Sequence, residues 1–444
     1  MSAPSPNSEA MWVSAHRLRE EGRIEAAADT VTALWNDAKT DCNTVIAVLN
    51  FLKECGAQHR ALPIARDARQ RWPGDARLAL DAGEVALALG LFDEAAATLR
   101  EAIDLDPKQG SAWLRLAYCR RYTEPDDADV QRFRHGWADA NLDEVARTCA
   151  GFALGKALDD LGDYAQAAQV LTDANALARK SSRWRGENWR RFVDAQLHAP
   201  ALPALPADPD FVPIFIVGLP RSGTTLVAST LAQLTDVRDR GELNWVPMLY
   251  ALLAEQGQLQ NPRALASVAG IIRAQMHRDD APARYYIDKN PLNLRYLDFI
   301  AACFPNAKIV HCQRGARDTA LSIWMQHFAH EDLGFAYDFA TIADVQKGCE
   351  MLMAHWQSRL PLSILDVDYE RFVAEPNAQR QQLQDFLGPP TQPSSVKPTA
   401  ESPSIVTTAS VWQVRQPVYT HAVERWRRYA PYLPELTALI PDRA

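Results

Sequence analysis

Apolar positions in the first half of the chain recur at helical spacing inside a longer period. Gly22, Gly56 and Gly90 stand 34 residues apart, as do Pro73 and Pro107. Around the glycines one grammar repeats: a helix pattern ends before the glycine and small residues open the next, as in GRIEAA (22–27) and GLFDEAA (90–96). A period of this length predicts stacked helix pairs, each burying its apolar face on its neighbour. LGKALDDLGDYAQAA (154–168) is a further copy with its Gly162 72 residues beyond Gly90, so the unit between them, running from Arg120 to Trp137, is degenerate or lengthened. About four or five repeats are expected over residues 8–180. HAPALPALPADP (198–209) then alternates four prolines with small apolar residues, the composition of an extended, semi-rigid linker. Beyond it the pattern changes to strand-like apolar runs alternating with helical ones: 212–217 with 223–234, 284–288 with 291–302, 308–313 with 317–328, and 362–367 with 376–387. Such alternation predicts an α/β domain with a parallel sheet, and ligands in such sheets bind beyond the carboxyl ends of the strands. The expected organisation is an all-α repeat domain over 1–197, a linker over 198–210 and the α/β domain over 211–444.

The first strand run carries the most chemistry. FVPIFIVGLPRSGTT (211–225) is a β-rich stretch that breaks into a glycine-bracketed loop and a helix start. In such a loop the backbone amides, the first-turn amides of the helix and the Thr224 and Thr225 hydroxyls can converge on one anion. Gly218 and Gly223 match the start of a P-loop, yet Thr224 stands where that motif needs lysine, and Arg221 supplies a cation from within the loop. The loop therefore reads as P-loop-like and nucleotide-binding, but not as that of an ordinary kinase or GTPase.

GLPRSGTT closely resembles the 5′-phosphosulfate-binding loop of sulfotransferases that use 3′-phosphoadenosine 5′-phosphosulfate (PAPS). The resemblance implies donor contacts from Arg221, Ser222, Gly223, Thr224 and Thr225. AKIVHCQRGARDTALS (307–322) strengthens it, with Arg314 and Ser322 matching the 3′-phosphate pair of that family. An arginine at a strand's carboxyl end and a serine in the first turns of the next helix can share one phosphate. The N-terminal copies resemble tetratricopeptide repeats, and the whole chain resembles bacterial tetratricopeptide-repeat sulfotransferases related to tyrosylprotein sulfotransferases. That pattern specifies a solenoid rather than a ligand.

Lys289 lies in DKNPLNL (288–294), similar to the family segment whose lysine contacts the bridging oxygen during transfer. RGELNWVP (240–247) resembles the segment bearing the catalytic glutamate, although one residue shorter and with one glutamate where the family has two, which makes Glu242 the candidate base. A solvent-exposed turn carboxylate is the competing reading. His327, expected on the helix begun at Arg317, is the rival base, with a satisfied, partly buried imidazole as its plainer reading. Tyr369, in DVDYERFV (366–373), matches a family position near the nucleotide and reads equally well as a core aromatic. ASVWQVRQPV (409–418) resembles the family's mobile C-terminal loop, which implies nucleotide contacts from Ser410 and Arg415.

Composition narrows the field. A formal net charge of −8 argues against nucleic acid as a partner, and no apolar run reaches the length of a membrane span. No signal-peptide pattern opens the chain, and its seven cysteines are scattered without a CxxC pair, so a reducing cytoplasm is the expected compartment. No histidine, cysteine and acid cluster has metal-ligand spacing, so no metal requirement is expected. The expected activity is sulfuryl transfer from PAPS to a hydroxyl. A peptide or protein tyrosine is the favoured acceptor because the repeats could present a chain. A carbohydrate or small-molecule acceptor, a nucleotide kinase and a nucleotide-binding scaffold are the alternatives.

Overall fold

The computed structural model describes residues 6–35, 40–234, 236–280, 282–328, 330–388 and 422–442. Gly22, Gly56, Gly90 and Gly162 have φ of 74°, 75°, 79° and 79°, the left-handed conformation that ends a helix without a Cβ clash. Ala57 N donates to Leu52 O at 2.8 Å and Leu91 N to Ala86 O at 2.9 Å, closing the last turn after each glycine's helix. The helix pairs are Pro6–Glu20 with Ile24–Trp35, Cys42–Glu54 with Gln58–Arg71, Ala76–Ala88 with Phe92–Leu105, Gly110–Ala117 with Ala128–Ala138, and Glu144–Asp160 with Tyr164–Ser181. Helix Gly186–His198 follows them. The irregular unit is the fourth pair, whose two helices are separated by the ten residues 118–127, including Pro125.

Residues 199–208 form neither helix nor strand, and Leu205 N donates to Ala302 O at 2.8 Å. The sheet has β1 Val212–Gly218, β2 Val237–Asp239, β3 Tyr285–Asp288, β4 Lys308–Gln313 and β5 Ser363–Asp368 in the order β2-β3-β1-β4-β5. Every pairing is parallel. β1 is buried along its whole length because both faces are covered. Ile214 and Ile216 pack in one core with Val227 and Leu231 of helix Thr224–Ala232, while Phe215 and Val217 face the opposite core. The α/β architecture behind a repeat solenoid is thus the expected one.

Three details differ from expectation. β2 and the helices Trp245–Glu255, Pro262–His277 and Phe339–Arg359 lie between the units that the alternation picked out. The helix expected over 291–302 is divided into a 3-10 turn, Pro291–Tyr296, and helix Leu297–Cys303. The helix expected over 317–328 is Ala316–Trp324; Met325 N and Gln326 N turn back to Leu321 O and Ile323 O, both at 3.0 Å, so His327 sits in the following loop.

Solenoid and α/β domain share one continuous core, which includes Ala15, Leu99, Phe152, Phe299, Trp324 and Tyr429. The first repeat is clasped by the end of helix Pro262–His277. There Asp279 accepts from Glu25 N at 2.8 Å and Ala26 N at 3.0 Å, capping a repeat helix from outside, and Gln275 Nε2 donates to Glu20 O at 3.1 Å. Further along the solenoid, Asn175 Nδ2 donates to Trp324 O at 3.0 Å and Trp189 Nε1 to Asp344 O at 3.1 Å. Asp159 receives Tyr429 Oη at 2.7 Å and pairs with Arg425.

Gly22 tests the first clasp. A Cβ there would lie 2.1 Å from Ala274 O, whereas one at Gly162, with nearly the same φ, would meet nothing within 4 Å. Both Gly→Ala variants carry the backbone penalty of about 1 kcal/mol. Gly22→Ala should lose more, by about 1–3 kcal/mol, because backbone must also move. Urea unfolding of the two variants side by side measures the difference.

Candidate active site

β1 ends at Gly218, φ 148°, where a Cβ would meet Cys312 O of β4 at 2.5 Å and Ser222 Oγ at 2.9 Å. Only glycine lets the loop fold back so closely on the neighbouring strand. The loop turns at Arg221, a non-glycine residue at φ 69°, and at Gly223, φ 97°, which caps helix Thr224–Ala232. Left-handed backbone at a non-glycine residue costs about 1 kcal/mol or more and is concentrated at functional sites. Ser222 and Thr224 are buried, and Ser222 Oγ donates to Leu219 O at 2.8 Å, fixing the turn from inside. The amides of Thr224 and Thr225 open the helix and have no partner within it, which is the geometry of an anion cradle.

Residues far apart in sequence meet at this loop. Arg221 Nε donates to Ser322 Oγ at 3.1 Å. Arg314 Nη1 donates to Arg221 O at 3.2 Å and Nη2 to Ala422 O at 2.7 Å, and its guanidinium lies 4.7 Å from the Tyr369 ring centroid. Tyr369 in turn covers Gly223, where a Cβ would meet its Cδ2 at 2.7 Å. Arg221, Gly223, Arg314, Ser322 and Tyr369 are therefore one cluster. Arg314 Nε is buried with no hydrogen-bond partner among the described residues, a donor held ready for an acceptor. Ser410 and Arg415 lie outside the described residues. The chain re-enters at Ala422 against Arg314, and Trp426 N donates to Asp318 Oδ1 at 2.8 Å on the helix that carries Ser322.

Lys289 and Glu242 form a second group at the ends of β3 and β2. The buried Lys289 ammonium pairs with Glu242 Oε1, whose side chain keeps 41% of its surface exposed. Lys289 N donates to Gly241 O at 2.8 Å, Leu243 N to Asp288 Oδ1 at 3.1 Å, and Asn290 Nδ2 to Leu243 O at 3.1 Å. The two candidate residues are thus in contact, one buried and one facing solvent. Burial pushes the Asp288 carboxyl up to about 8, against the pull of its amide and asparagine donors and of Lys289.

Residues 213–393 match the model of the sulfotransferase family, and residues 56–119 match a tetratricopeptide repeat model. The α/β domain belongs to the sulfotransferase family. An uncharacterized protein of Aquifex aeolicus (strain VF5) is 29% identical over 406 residues, covering 86% of this chain and 52% of its own length. Protein-tyrosine sulfotransferase 1 of Mus musculus is 28% identical over 159 residues, covering 33% of this chain and 43% of its own. Protein-tyrosine sulfotransferase 2 of Gallus gallus is 26% identical over 239 residues, covering 49% and 64%. The chain thus spans about half the length of these relatives. Among solved structures, the sulfotransferase STF1 from Mycobacterium tuberculosis H37Rv is similar at 16% identity and a TM-score of 0.29, covering 70% of this chain and 94% of that one.

The repeat domain meets the α/β domain near the glycine loop's Arg221 through Tyr118, at the end of helix Gly110–Ala117. Its hydroxyl donates to Gln326 Oε1 at 2.7 Å, and burial pushes the phenol above its ordinary value with the Arg115 and Arg221 guanidinium groups opposing. Sequence reasoning missed Tyr118, because nothing in a repeat pattern says which position will face another domain. His327 belongs to the same seam. Its ring packs at 5.4 Å from Phe152 of the repeats and 5.9 Å from Tyr337, beside a cavity of about 270 Å³ lined by Glu144, Thr148, Ser181, Arg183 and Glu331. Among the described residues, no hydrogen bond joins it to Arg221, Ser322, Lys289 or Glu242. No group of three or more histidine, cysteine, aspartate or glutamate side chains is placed to hold a metal among the described residues, and no helix there is long and apolar enough to cross a membrane.

Burial lowers His327 from 6.5 to about 4. Its folded value lies below its unfolded one, so as pH falls through 6.5 the unfolded chain takes up a proton that the native ring refuses, and stability is lost down to about pH 4. His327→Phe, which keeps an aromatic ring against Phe152 and Tyr337, should therefore lose less stability than the wild type between pH 7 and pH 5. Urea midpoints at the two pH values measure it.

Proposed function

We propose that this chain transfers a sulfuryl group from PAPS to an acceptor hydroxyl, with a tyrosine of a peptide or protein as the favoured acceptor. The observation that carries the reading is that two groups lie beyond the carboxyl ends of the strands of one parallel sheet: the Arg221–Ser322–Arg314–Tyr369 cluster around the glycine loop, and the Lys289–Glu242 pair. In this reading the loop amides, Arg221, Ser222, Thr224 and Thr225 hold the 5′-phosphosulfate end of the donor. Arg314 and Ser322 hold the 3′-phosphate, for which the buried Arg314 Nε, without a partner among the described residues, is a fitting donor. Tyr369 closes one wall, and the family resemblance implies further nucleotide contacts from Ser410 and Arg415, which lie outside the described residues.

The acceptor oxygen forms a bond to sulfur, the bond from sulfur to the phosphate oxygen breaks, and adenosine 3′,5′-bisphosphate departs. Glu242, the exposed member of the pair, takes the acceptor proton. As that carboxylate is neutralised its hold on Lys289 weakens, and the ammonium becomes available to the negative charge building on the departing oxygen. Burial lowers the His327 imidazole to about 4, which makes it a poor proton acceptor at neutral pH, and His327 packs among rings rather than beside Lys289. The tyrosine acceptor draws support from the protein-tyrosine sulfotransferase relatives and from the repeat solenoid, whose Tyr118 lies close enough to Arg221 of the loop to feel its charge.

Three measurements test the reading. Calorimetry should show adenosine 3′,5′-bisphosphate binding at least about tenfold tighter than ADP, since charge-assisted contacts to the 3′-phosphate are worth about 1.5–3 kcal/mol each. Arg314→Ala should erase that preference, and equal affinity in the wild type would sink the donor assignment. In single-turnover assays with bound donor, Lys289→Ala should slow transfer by about 10²–10³-fold. Glu242→Gln should cost about 10²–10⁴-fold, and less with acceptors of lower pKa. Mass spectrometry of wild-type reactions with peptide, carbohydrate and phenol acceptors identifies which gains the sulfuryl group.

A further inference from the structure

Glu242 sits on neither a helix nor a strand, so its direction is set by how its neighbours' backbone is tied down. Arg240 N donates to Ile287 O at 2.9 Å, Gly241 N to Asp239 Oδ1 at 2.8 Å, and Gly241 O accepts from Lys289 N at 2.8 Å. On the other side of Glu242, Leu243 N donates to Asp288 Oδ1 at 3.1 Å and Leu243 O accepts from Asn290 Nδ2 at 3.1 Å. Gly241 makes the turn at φ 72°. Four of these five ties come from β3 and its continuation at 288–290. Two of them are made by side chains that reach Leu243 on the far side of the loop, Asn290 and the buried Asp288, 1% exposed.

We propose that Asp288 is the positioning residue that fixes Glu242 against the Lys289 ammonium, acting through the Leu243 amide. The inference rests on the roles given to Glu242 and Lys289 above. Consecutive residues at the end of β3 then divide the work: the 288 side chain holds the loop and the 289 side chain meets the carboxylate that the loop presents. The second oxygen of Asp288 accepts from Asn293 Nδ2 at 2.9 Å, and Asn293 Oδ1 is buried with no partner among the described residues. Burial keeps the Asp288 carboxyl protonated towards neutral pH, so the proton can bridge to Asn293 if that amide is turned, satisfying the orphaned oxygen. A neutral acid in this position works as a shaped hydrogen-bonding plug that adds no second negative charge beside Glu242. An asparagine can replace such a plug; an alanine cannot.

The test compares Asp288→Ala with Asp288→Asn in the full chain. Hydrogen exchange of the 240–244 backbone, which needs no turnover, should accelerate about tenfold or more in Asp288→Ala and return to within about threefold of wild type in Asp288→Asn. Single-turnover transfer should fall about 10–100-fold in Asp288→Ala, with greater loss for acceptors of higher pKa, while affinity for adenosine 3′,5′-bisphosphate stays within about threefold. Asp288→Asn should restore the rate. Asp288→Ser, which retains a short hydroxyl, is read by the same criteria if the alanine variant does not fold. Wild-type exchange in Asp288→Ala, equal damage in Asp288→Asn, or loss of rate and nucleotide affinity together would overturn the proposal. A wild type that transfers nothing from PAPS would overturn the functional reading instead, while the exchange data still decide whether Asp288 holds the loop.

Discussion

The close approach of β1 to β4 at Gly218 is the constraint on which the site depends. Parallel register sets Gly218 opposite Cys312, and the absent Cβ lets the loop turn directly over the end of β4. In the order β2-β3-β1-β4-β5 the chain leaves β1 towards one edge and later returns to fill the other, so β1 and β4 flank the point where the winding changes direction. Loops diverge there and leave a crevice. Arg314 follows β4 directly and helix Ala316–Trp324 carries Ser322, so one close strand contact brings the loop arginine, the strand-end arginine and the helix serine together. A side chain at 218 would push apart the elements that make the cluster.

The repeat solenoid is part of this arrangement rather than an appendage. Its first repeat is capped by Asp279, a short way from Asp280, which pairs with Arg240 at the start of the Glu242 loop. Its middle reaches Gln326 through Tyr118, and its last repeats pack on the 334–344 region and the C-terminal segment. A shared apolar core ties the ends together. Relative motion of the two domains would have to break buried contacts at several points, so the proline-rich segment joins domains that are already packed together.

The chemistry places two kinds of group with opposite needs within one edge of a sheet. Lys289 is buried and tolerable there because Glu242 compensates its charge, while the Glu242 side chain remains 41% exposed. Burial pushes the Asp288 carboxyl, next to Lys289 in the chain, up to about 8, which disfavours a second negative charge beside Glu242. Each ionisable group is therefore given its state by depth: exposed carboxylate, paired buried ammonium, neutral buried acid.

Much of this was legible in the sequence because it is local. The 34-residue glycine period specifies helix pairs, since a left-handed residue must end each helix wherever the chain turns back, and those glycines do adopt that conformation. The strand, glycine loop and helix of 211–225 are likewise encoded by neighbours, as is the strand-to-helix passage through Arg314. The short strand β2, three residues long, escaped because it has too few residues to show a period, and the helix of Ser322 stops at Trp324 because packing against the repeats takes over. What only the tertiary structure decided is which residues meet. The Lys289–Glu242 pair, the Arg221–Ser322 bond across 101 positions, the cover of Tyr369 on Gly223, and the reach of Tyr118 and Asp288 arise from register and packing between distant segments. Local propensity carries no information about such meetings, because their energy exists only once the sheet order and the solenoid's docking have brought the partners within bonding distance.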